Sequence, residues 1–147
     1  MSRIQKHDYY LAIAEQVAKR STCLRRKYGA VIVNNDEIIA TGYNGAPRGE
    51  ANCVDLGVCH RERLNIPKGE RYELCVSVHA EMNAIISAAR KDMLGATIYI
   101  TGLESDGRCA DPSPCTICRR LIVNAGIARC IGMVDGKATE ISLIPKN

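Results

Sequence analysis

The sequence predicts an α/β fold in which a mixed sheet of five strands carries helices packed on its faces. Near the start, two apolar, β-branched segments (28–33 and 38–43) flank a short polar turn, a pattern typical of an antiparallel hairpin. After residue 79, helical and strand-like segments alternate, which implies parallel strands joined by crossover helices. The 147 residues are enough to bury a core, so we expect a single domain over residues 1–147.

The first half of the chain begins with a helix and ends in an irregular region. Apolar residues at helical spacing predict a helix over residues 8–19, with Asp8 as its N-cap. Residues 34–37 form the predicted hairpin turn. Residues 44–76 then lose all periodicity, and a loop of this length is uncommon in a compact domain unless it is functional or anchored.

The second half contains two predicted helices and three strands. One helix is expected over residues 78–91, and another over residues 114–124 that ends at Gly126, a residue suited to a helix C-terminus. The inner face of the first of these helices is predicted to comprise Met82, Ile85, Ile86 and Ala89. The strands are predicted at residues 97–101, 128–134 and 140–144.

Composition limits the classes of function. Hydrophobic residues make up 46% and charged residues 24%, as in ordinary soluble proteins, and no stretch is long enough to span a membrane. The net charge of +4 is scattered, which argues against a nucleic-acid surface and is compatible with a small anionic substrate. Eight cysteines without a secretory leader favour metal binding in a reducing compartment, so we expect a cytoplasmic protein.

Two short motifs carry the chemistry. His79 is followed two residues later by Glu81, and Pro114 precedes Cys115 and Cys118. Imidazole and thiolate are natural zinc ligands, and three protein ligands leave the fourth tetrahedral position to water. A helical turn would place both sulfurs on one face, and Glu81 could exchange protons with that water. The two motifs predict a catalytic zinc centre with an open coordination position.

This combination of His-x-Glu and Pro-Cys-x-x-Cys is the signature of zinc-dependent nucleobase deaminases. Residues 42–49, 79–85 and 114–118, together with 21–26, closely resemble the cytidine deaminase superfamily and, within it, the deoxycytidylate (dCMP) deaminase family. The similarity extends over residues 9–132. It implies the three-layer cytidine-deaminase-like fold and hydrolytic deamination of dCMP to dUMP with release of ammonia, which supplies thymidylate synthesis.

The resemblance also implies roles for individual residues. His79, Cys115 and Cys118 would hold the zinc, and Glu81 would move protons. Asn44 corresponds to an asparagine that contacts the sugar, and the backbone at Ala80 would face the pyrimidine carbonyl. Family members are commonly homo-oligomers, often hexamers, and many respond to dCTP and dTTP, which implies a regulatory nucleotide site.

Three further features leave alternatives open. A substrate phosphate needs cations, and the candidates are Arg26, Arg48 and Arg71, although the more common role of such arginines is an ordinary surface charge and none is singled out. The segment 103–113, with its additional Cys109, departs from the family pattern and should border the active site. Four cysteines could form a second, structural zinc site, as in some relatives, with His60 as a substitute ligand, or could remain buried free thiols. These cysteines are Cys23, Cys53, Cys59 and Cys75.

Two alternative functions remain compatible with the sequence. The chain could be another deaminase of the superfamily, acting on a nucleoside, guanine or a tRNA adenosine. The tRNA reaction would require a basic face that this charge does not supply. A non-catalytic zinc-binding accessory protein is the third possibility, although a structural site would be closed by a fourth ligand and would not need Glu81.

Overall fold

The computed structural model describes residues 2–67, 70–71 and 74–144. Within these residues, one sheet of six strands forms the middle of the molecule. The strands are β1 (Arg26–Asn34), β2 (Glu37–Tyr43), β3 (Thr97–Glu104), β4 (Cys109–Ala110), β5 (Arg129–Val134) and β6 (Lys137–Ile141). The helices are α1 (Lys6–Ala18), α2 (Cys53–Leu56), α3 (His60–Arg63), α4 (Ala80–Ile86), α5 (Arg90–Met93) and α6 (Thr116–Asn124).

The sheet is mixed, as predicted. Its main path runs β2-β1-β3-β5-β6, and the short β4 pairs with β3 beside this path. β3 and β5 are parallel and are connected through α6, whereas the other pairs are antiparallel. All five predicted strands are therefore present. The sixth, β4, lies in the segment that was expected to be a loop.

Side chains alternate between the two faces of the central strands and build a core on each. Val31 of β1 packs in a cluster with Leu11 of α1, while its neighbour Ile32 points into a cluster with Ala84 of α4 and Ile122 of α6. Helices thus cover both faces, which confirms the three-layer arrangement. No helix of the described residues is both long and apolar enough to cross a membrane.

The first helix begins earlier than predicted. α1 starts at Lys6 after Gln5, so Asp8 lies inside the first turn and is not the N-cap. Its carboxylate still stands near the positive end of the helix dipole, which explains why an acidic residue suits the position.

The β1–β2 and β5–β6 hairpins each turn through two residues in the left-handed conformation. Asn35-Asp36, with φ of 51° and 60°, connects β1 to β2 and confirms the predicted hairpin. Asp135-Gly136, with φ of 48° and 79°, connects β5 to β6 in the same way. The strand predicted at 140–144 is therefore wrong in its bounds, because the Asp-Gly turn starts β6 at Lys137.

The helix predicted over 78–91 is too long, and of its predicted inner face Ile85 packs against the core whereas Ile86 and Ala89 do not. α4 ends at Ile86, which is 76% exposed, and Ala89 is exposed as well. Ala80 and Ala84 face the core instead, because α4 approaches β2 so closely at Gly42 that only small residues fit between them.

The last helix starts slightly later than predicted. Cys115 is the N-cap of α6, so Pro114 precedes the helix and does not occupy its first turn. Gly126 follows the helix with φ of 88°, in agreement with its predicted role at the C-terminus. Among its described residues, the irregular region 44–76 contains two short α-helices, α2 and α3, which were not predicted.

Candidate metal centre and active site

Hydrogen bonds fix the point at which α4 begins and thereby position His79, its N-cap. Gly45 and Val78 exchange two backbone hydrogen bonds of 2.7 and 3.1 Å just before His79. One turn into the helix, Asn83 Nδ2 donates to the Tyr43 carbonyl at 2.8 Å. The start of α4 is therefore tied to the end of β2 from both sides.

Cys115 and Cys118 occupy the start of α6. The Cys115 sulfur accepts a hydrogen bond of 3.4 Å from the Cys118 backbone N–H, and Cys118 is fully buried. The Cys118 thiol lowers the pKa of Cys115 to about 4 by hydrogen bonding to it, and His79 contributes in the same direction. The same hydrogen bond, together with burial, raises the pKa of Cys118. Cys115 is thus prepared to act as a thiolate ligand.

The three predicted ligands converge on one point. His79 Nδ1 lies 3.2 Å from the Cys118 sulfur and 3.6 Å from the Cys115 sulfur, and all three ligand atoms lie within 4.8 Å of one another. With ordinary Zn–N and Zn–S bond lengths, tetrahedral geometry separates nitrogen from sulfur by about 3.6 Å. Both the donor types and their spacing therefore fit zinc.

Glu81 lies beside these ligands in the first turn of α4. The residue is only 6% exposed, and it lines the same pocket as His79 and Cys115. Burial raises the pKa of Glu81 above its ordinary value. A carboxyl group in such a position can hold and release a proton more readily at neutral pH, as general acid–base chemistry requires.

A pocket of about 180 Å³ opens onto the metal centre. Its wall contains the predicted substrate contacts Asn44 and Ala80, and it also includes residues 111–113. The expectation that the segment 103–113 borders the active site is thus confirmed for its last residues. Three arginines line the pocket, namely Arg25, Arg26 and Arg61.

Asn44 has a structural role that the sequence did not indicate. Its Oδ1 accepts from the Tyr28 backbone N–H at 2.8 Å, and its Nδ2 donates to the Arg26 carbonyl at 2.9 Å. The hydroxyl of Ser21 donates to the Asn44 carbonyl at 2.8 Å. The side chain therefore locks the turn after β2 onto β1, and its contact with a sugar stays a prediction.

The predicted phosphate-binding arginines differ in whether they line the pocket. Arg26 lines the pocket, with Nε 3.1 Å from Glu104 Oε1. Arg48 and Arg71 are exposed and do not belong to the pocket wall, so their candidacy lacks structural support.

Arg61 is a pocket residue that the sequence analysis missed. It is 6% exposed, and its Nη2 donates to the carbonyls of Pro67 and Glu70 at 2.9 and 2.8 Å. These two hydrogen bonds thus hold part of the long irregular segment around the guanidinium. Because it lies in a segment without periodicity or motif, nothing in the sequence distinguished it from other arginines.

The four cysteines considered for a second zinc all line the pocket. Among the residues that the structure describes, however, the set of His79, Cys115 and Cys118 is the only one that brings three such ligand atoms within 4.8 Å. His60 contacts Arg63 at 3.3 Å and does not line the pocket. The second zinc stays a prediction. All eight cysteines carry free thiols.

Comparison with known proteins identifies the family. The model of the cytidine and deoxycytidylate deaminase zinc-binding region matches residues 4–134. The chain belongs to this family. The deoxycytidylate deaminase of Mycobacterium phage D29 is 41% identical over 137 residues, which cover 89% of this chain and 96% of the phage protein. The deoxycytidylate deaminase of Schizosaccharomyces pombe is 35% identical over 84% of this chain, which spans only 35% of that longer protein.

A solved structure agrees with this assignment. The dCMP deaminase from the cyanophage S-TIM5, crystallised in complex with dCMP and dUMP, superimposes with a TM-score of 0.60 and 26% identity, covering 88% of this chain and 83% of that one. The cytidine-deaminase-like fold is thereby confirmed. Together with the donor set of His79, Cys115 and Cys118, family membership makes the chain a zinc-dependent hydrolytic deaminase.

Proposed function

We propose that this deaminase hydrolyses dCMP to dUMP and ammonia and thereby supplies thymidylate synthesis. The observation that carries the proposal is the placement of Glu81, buried beside three zinc ligands and facing a pocket lined by three arginines. The phage D29 deoxycytidylate deaminase, which this chain matches over 96% of the phage protein's length, supports the same substrate.

His79, Cys115 and Cys118 would hold the zinc. When bound, zinc supplies a Lewis acid that makes a water molecule acidic enough to attack at neutral pH. Glu81 would perform the proton transfers: its carboxylate accepts one proton from the attacking water and delivers it to N3 of cytosine as the oxygen bonds to C4. It then takes the remaining proton from that oxygen and passes it to the amine, so that the C4–N bond breaks, the C4 carbonyl forms and ammonia leaves. Burial of Glu81 holds its carboxyl away from bulk water, which limits the loss of these protons to solvent.

The pocket offers partners for the other parts of the nucleotide. Ala80 begins α4, where the backbone N–H of the first turn has no partner within the helix and can bond the pyrimidine carbonyl. Arg26, with Arg25 and Arg61 in the same wall, supplies positive charge for the 5′-phosphate. Asn44 would contact the sugar from the locked turn after β2.

The test is ammonia release by the zinc-loaded protein from dCMP, deoxycytidine, cytidine, guanine and adenosine. We expect dCMP to be preferred over deoxycytidine by at least about tenfold in kcat/KM, because charge-assisted hydrogen bonds to the phosphate are lost with the nucleoside. Glu81→Gln should keep its zinc and lose about 10²- to 10⁴-fold in kcat.

Each alternative has its own outcome in this experiment. Preference for another base or for a nucleoside would assign the chain to a different branch of the superfamily. If the zinc-loaded protein released no ammonia from any of these substrates, the result would favour a non-catalytic zinc protein. A Glu81→Gln variant that lost zinc but kept appreciable activity would contradict the roles given to these residues.

Homo-oligomerisation, nucleotide regulation and a cytoplasmic location are part of the same proposal. A homo-oligomer is supported by the family resemblance, and exposed apolar residues such as Ile86 and Ile117 are available for its interface. Regulation by dCTP and dTTP is supported by the family resemblance alone. A cytoplasmic location is supported by the eight free thiols, which persist in reducing compartments.

A further inference from the structure

We infer that Tyr28 is a positioning residue that holds the segment 111–114, and with it the zinc ligand Cys115, against the sheet. The inference rests on the metal centre of the proposed function and does not depend on which nucleotide is deaminated. Tyr28 lines the pocket beside Glu81 but belongs to neither of the motifs that build the zinc site.

The backbone of Tyr28 is fixed at the edge of the pocket. Its N–H donates to Asn44 Oδ1 at 2.8 Å, and its carbonyl accepts from the Asn44 N–H at 3.3 Å. On its other side, Tyr28 is paired with Gly102 of β3. The backbone that carries the ring is therefore held on both sides.

The ring crosses β3 at the one pairing position where there is no side chain to block it. A Cβ at Gly102 would lie 2.4 Å from Tyr28 Cε1 and 2.8 Å from Cδ1, closer than any real contact of this kind. Gly102 also pairs with Ala110 of β4, so the ring passes directly toward the strand that precedes the segment 111–114. The glycine thus provides the path for the tyrosine.

The hydroxyl at the end of this path binds the segment itself. Tyr28 Oη donates to the Asp111 carbonyl at 2.9 Å. Burial raises the pKa of Tyr28 above its ordinary value, so the hydroxyl remains a donor throughout the neutral range. Immediately afterwards, Asp111 Oδ1 accepts from the Ser113 N–H at 2.9 Å and closes a tight turn that leads to Cys115.

A second anchor holds the same segment from the other side. Pro112 lies against Gly132 of β5, where a Cβ would come within 2.5 Å of Pro112 Cγ. The segment is therefore held between β1 and β5 only a few residues before Cys115. Loss of the Tyr28 hydrogen bond would remove the contact that ties Asp111 to the Tyr28 ring, and the position of the Cys115 sulfur would become less well defined.

The decisive variant is Tyr28→Phe, which keeps the ring and removes only the hydroxyl. The matched control is Tyr99→Phe, which removes a hydroxyl bonded to His7 Nδ1 at 2.8 Å on the other face of the same sheet. Three properties would be measured in the full chain: the rate of zinc release to a chelator, the absorption spectrum of the Co²⁺-substituted protein, and kcat and KM.

We expect Tyr28→Phe to release zinc about two- to tenfold faster than both the wild type and Tyr99→Phe, as the loss of one hydrogen bond implies. Its Co²⁺ spectrum should shift, and kcat should fall more than KM rises. Wild-type zinc release with an unchanged Co²⁺ spectrum would overturn the inference, as would equal acceleration in Tyr99→Phe. Faster zinc release specific to Tyr28→Phe, in a protein inactive on dCMP, would support the positioning role while refuting the proposed substrate.

Discussion

Gly42→Ala is the substitution that most directly tests how the sheet positions the metal centre. α4 lies on β2 at this glycine, where an added Cβ would be 2.4 Å from Ala84 N and 2.5 Å from the Ala80 carbonyl oxygen. Ordinary contacts begin near 3.4 Å, and both atoms belong to the helix backbone, so α4 must retreat by about 1 Å. A flexible side chain cannot relieve this clash.

The displacement has a predictable cost for both stability and activity. Overpacking of this kind destabilises a fold by about 1–3 kcal/mol. His79 is the N-cap of α4 and Glu81 lies in its first turn, so both residues would move with the helix relative to Cys115 and Cys118. A misplacement of about 1 Å at a reacting centre can reduce the rate by about 10²-fold. We therefore expect a loss of about 10²-fold in kcat/KM and weaker retention of zinc.

The assay compares kcat/KM, bound zinc and thermal stability in Gly42→Ala and in the control Gly136→Ala. Gly136 has φ of 79° in the β5–β6 turn with open space around its Cβ position, so alanine there introduces backbone strain of about 1–2 kcal/mol and moves no helix. The control should lose stability but keep its zinc and its kcat/KM. If Gly42→Ala retains full zinc and the same kcat/KM as this control, the close packing of α4 does not position the site.

Two further predictions concern the remaining cysteines and the pH dependence of stability. If Cys23, Cys53, Cys59 and Cys75 bind a second zinc, metal analysis should find two zinc ions per wild-type chain and one in Cys53→Ala, whereas one ion in both proteins would exclude the site. Tyr10 donates a 2.5 Å hydrogen bond to Asp36, which raises the pKa of Tyr10 from 10.0 to about 12 and lowers that of Asp36. This bond should stabilise the fold at neutral pH, and its contribution should be lost as the pH rises through about 12 or falls through the lowered pKa of Asp36. Thermal unfolding should therefore show a lower melting temperature for Tyr10→Phe than for the wild type at neutral pH. This difference in melting temperature should shrink toward both pH extremes, and a constant difference across the range would contradict this account.

Much of the chemistry could be predicted because it depends on residue type and local spacing. The ligands His79, Cys115 and Cys118 are recognisable from two short motifs, and the structure brings their donor atoms within 4.8 Å. The hairpin turn at Asn35-Asp36 depends equally on neighbouring residues, because such turns need positions that tolerate positive φ.

Features that depend on distant residues could not be predicted in the same way. The buried face of α4 is set by Gly42 on another element, so Ile86 is exposed despite its hydrophobic side chain. Arg61 lines the pocket because the irregular segment is folded around its guanidinium. Arg48, which lies in a family motif, lines no part of the pocket.

The sequence by itself thus indicated the three candidate zinc ligands, the acidic residue beside them and the positions of the main strands along the chain. These properties arise from ligand chemistry and from periodicities within a few residues. Only the tertiary structure decided which arginines line the pocket and how Tyr28 reaches the segment before Cys115. Those relationships join residues far apart in the chain, and they exist only where glycines such as Gly42 and Gly102 allow elements to approach closely.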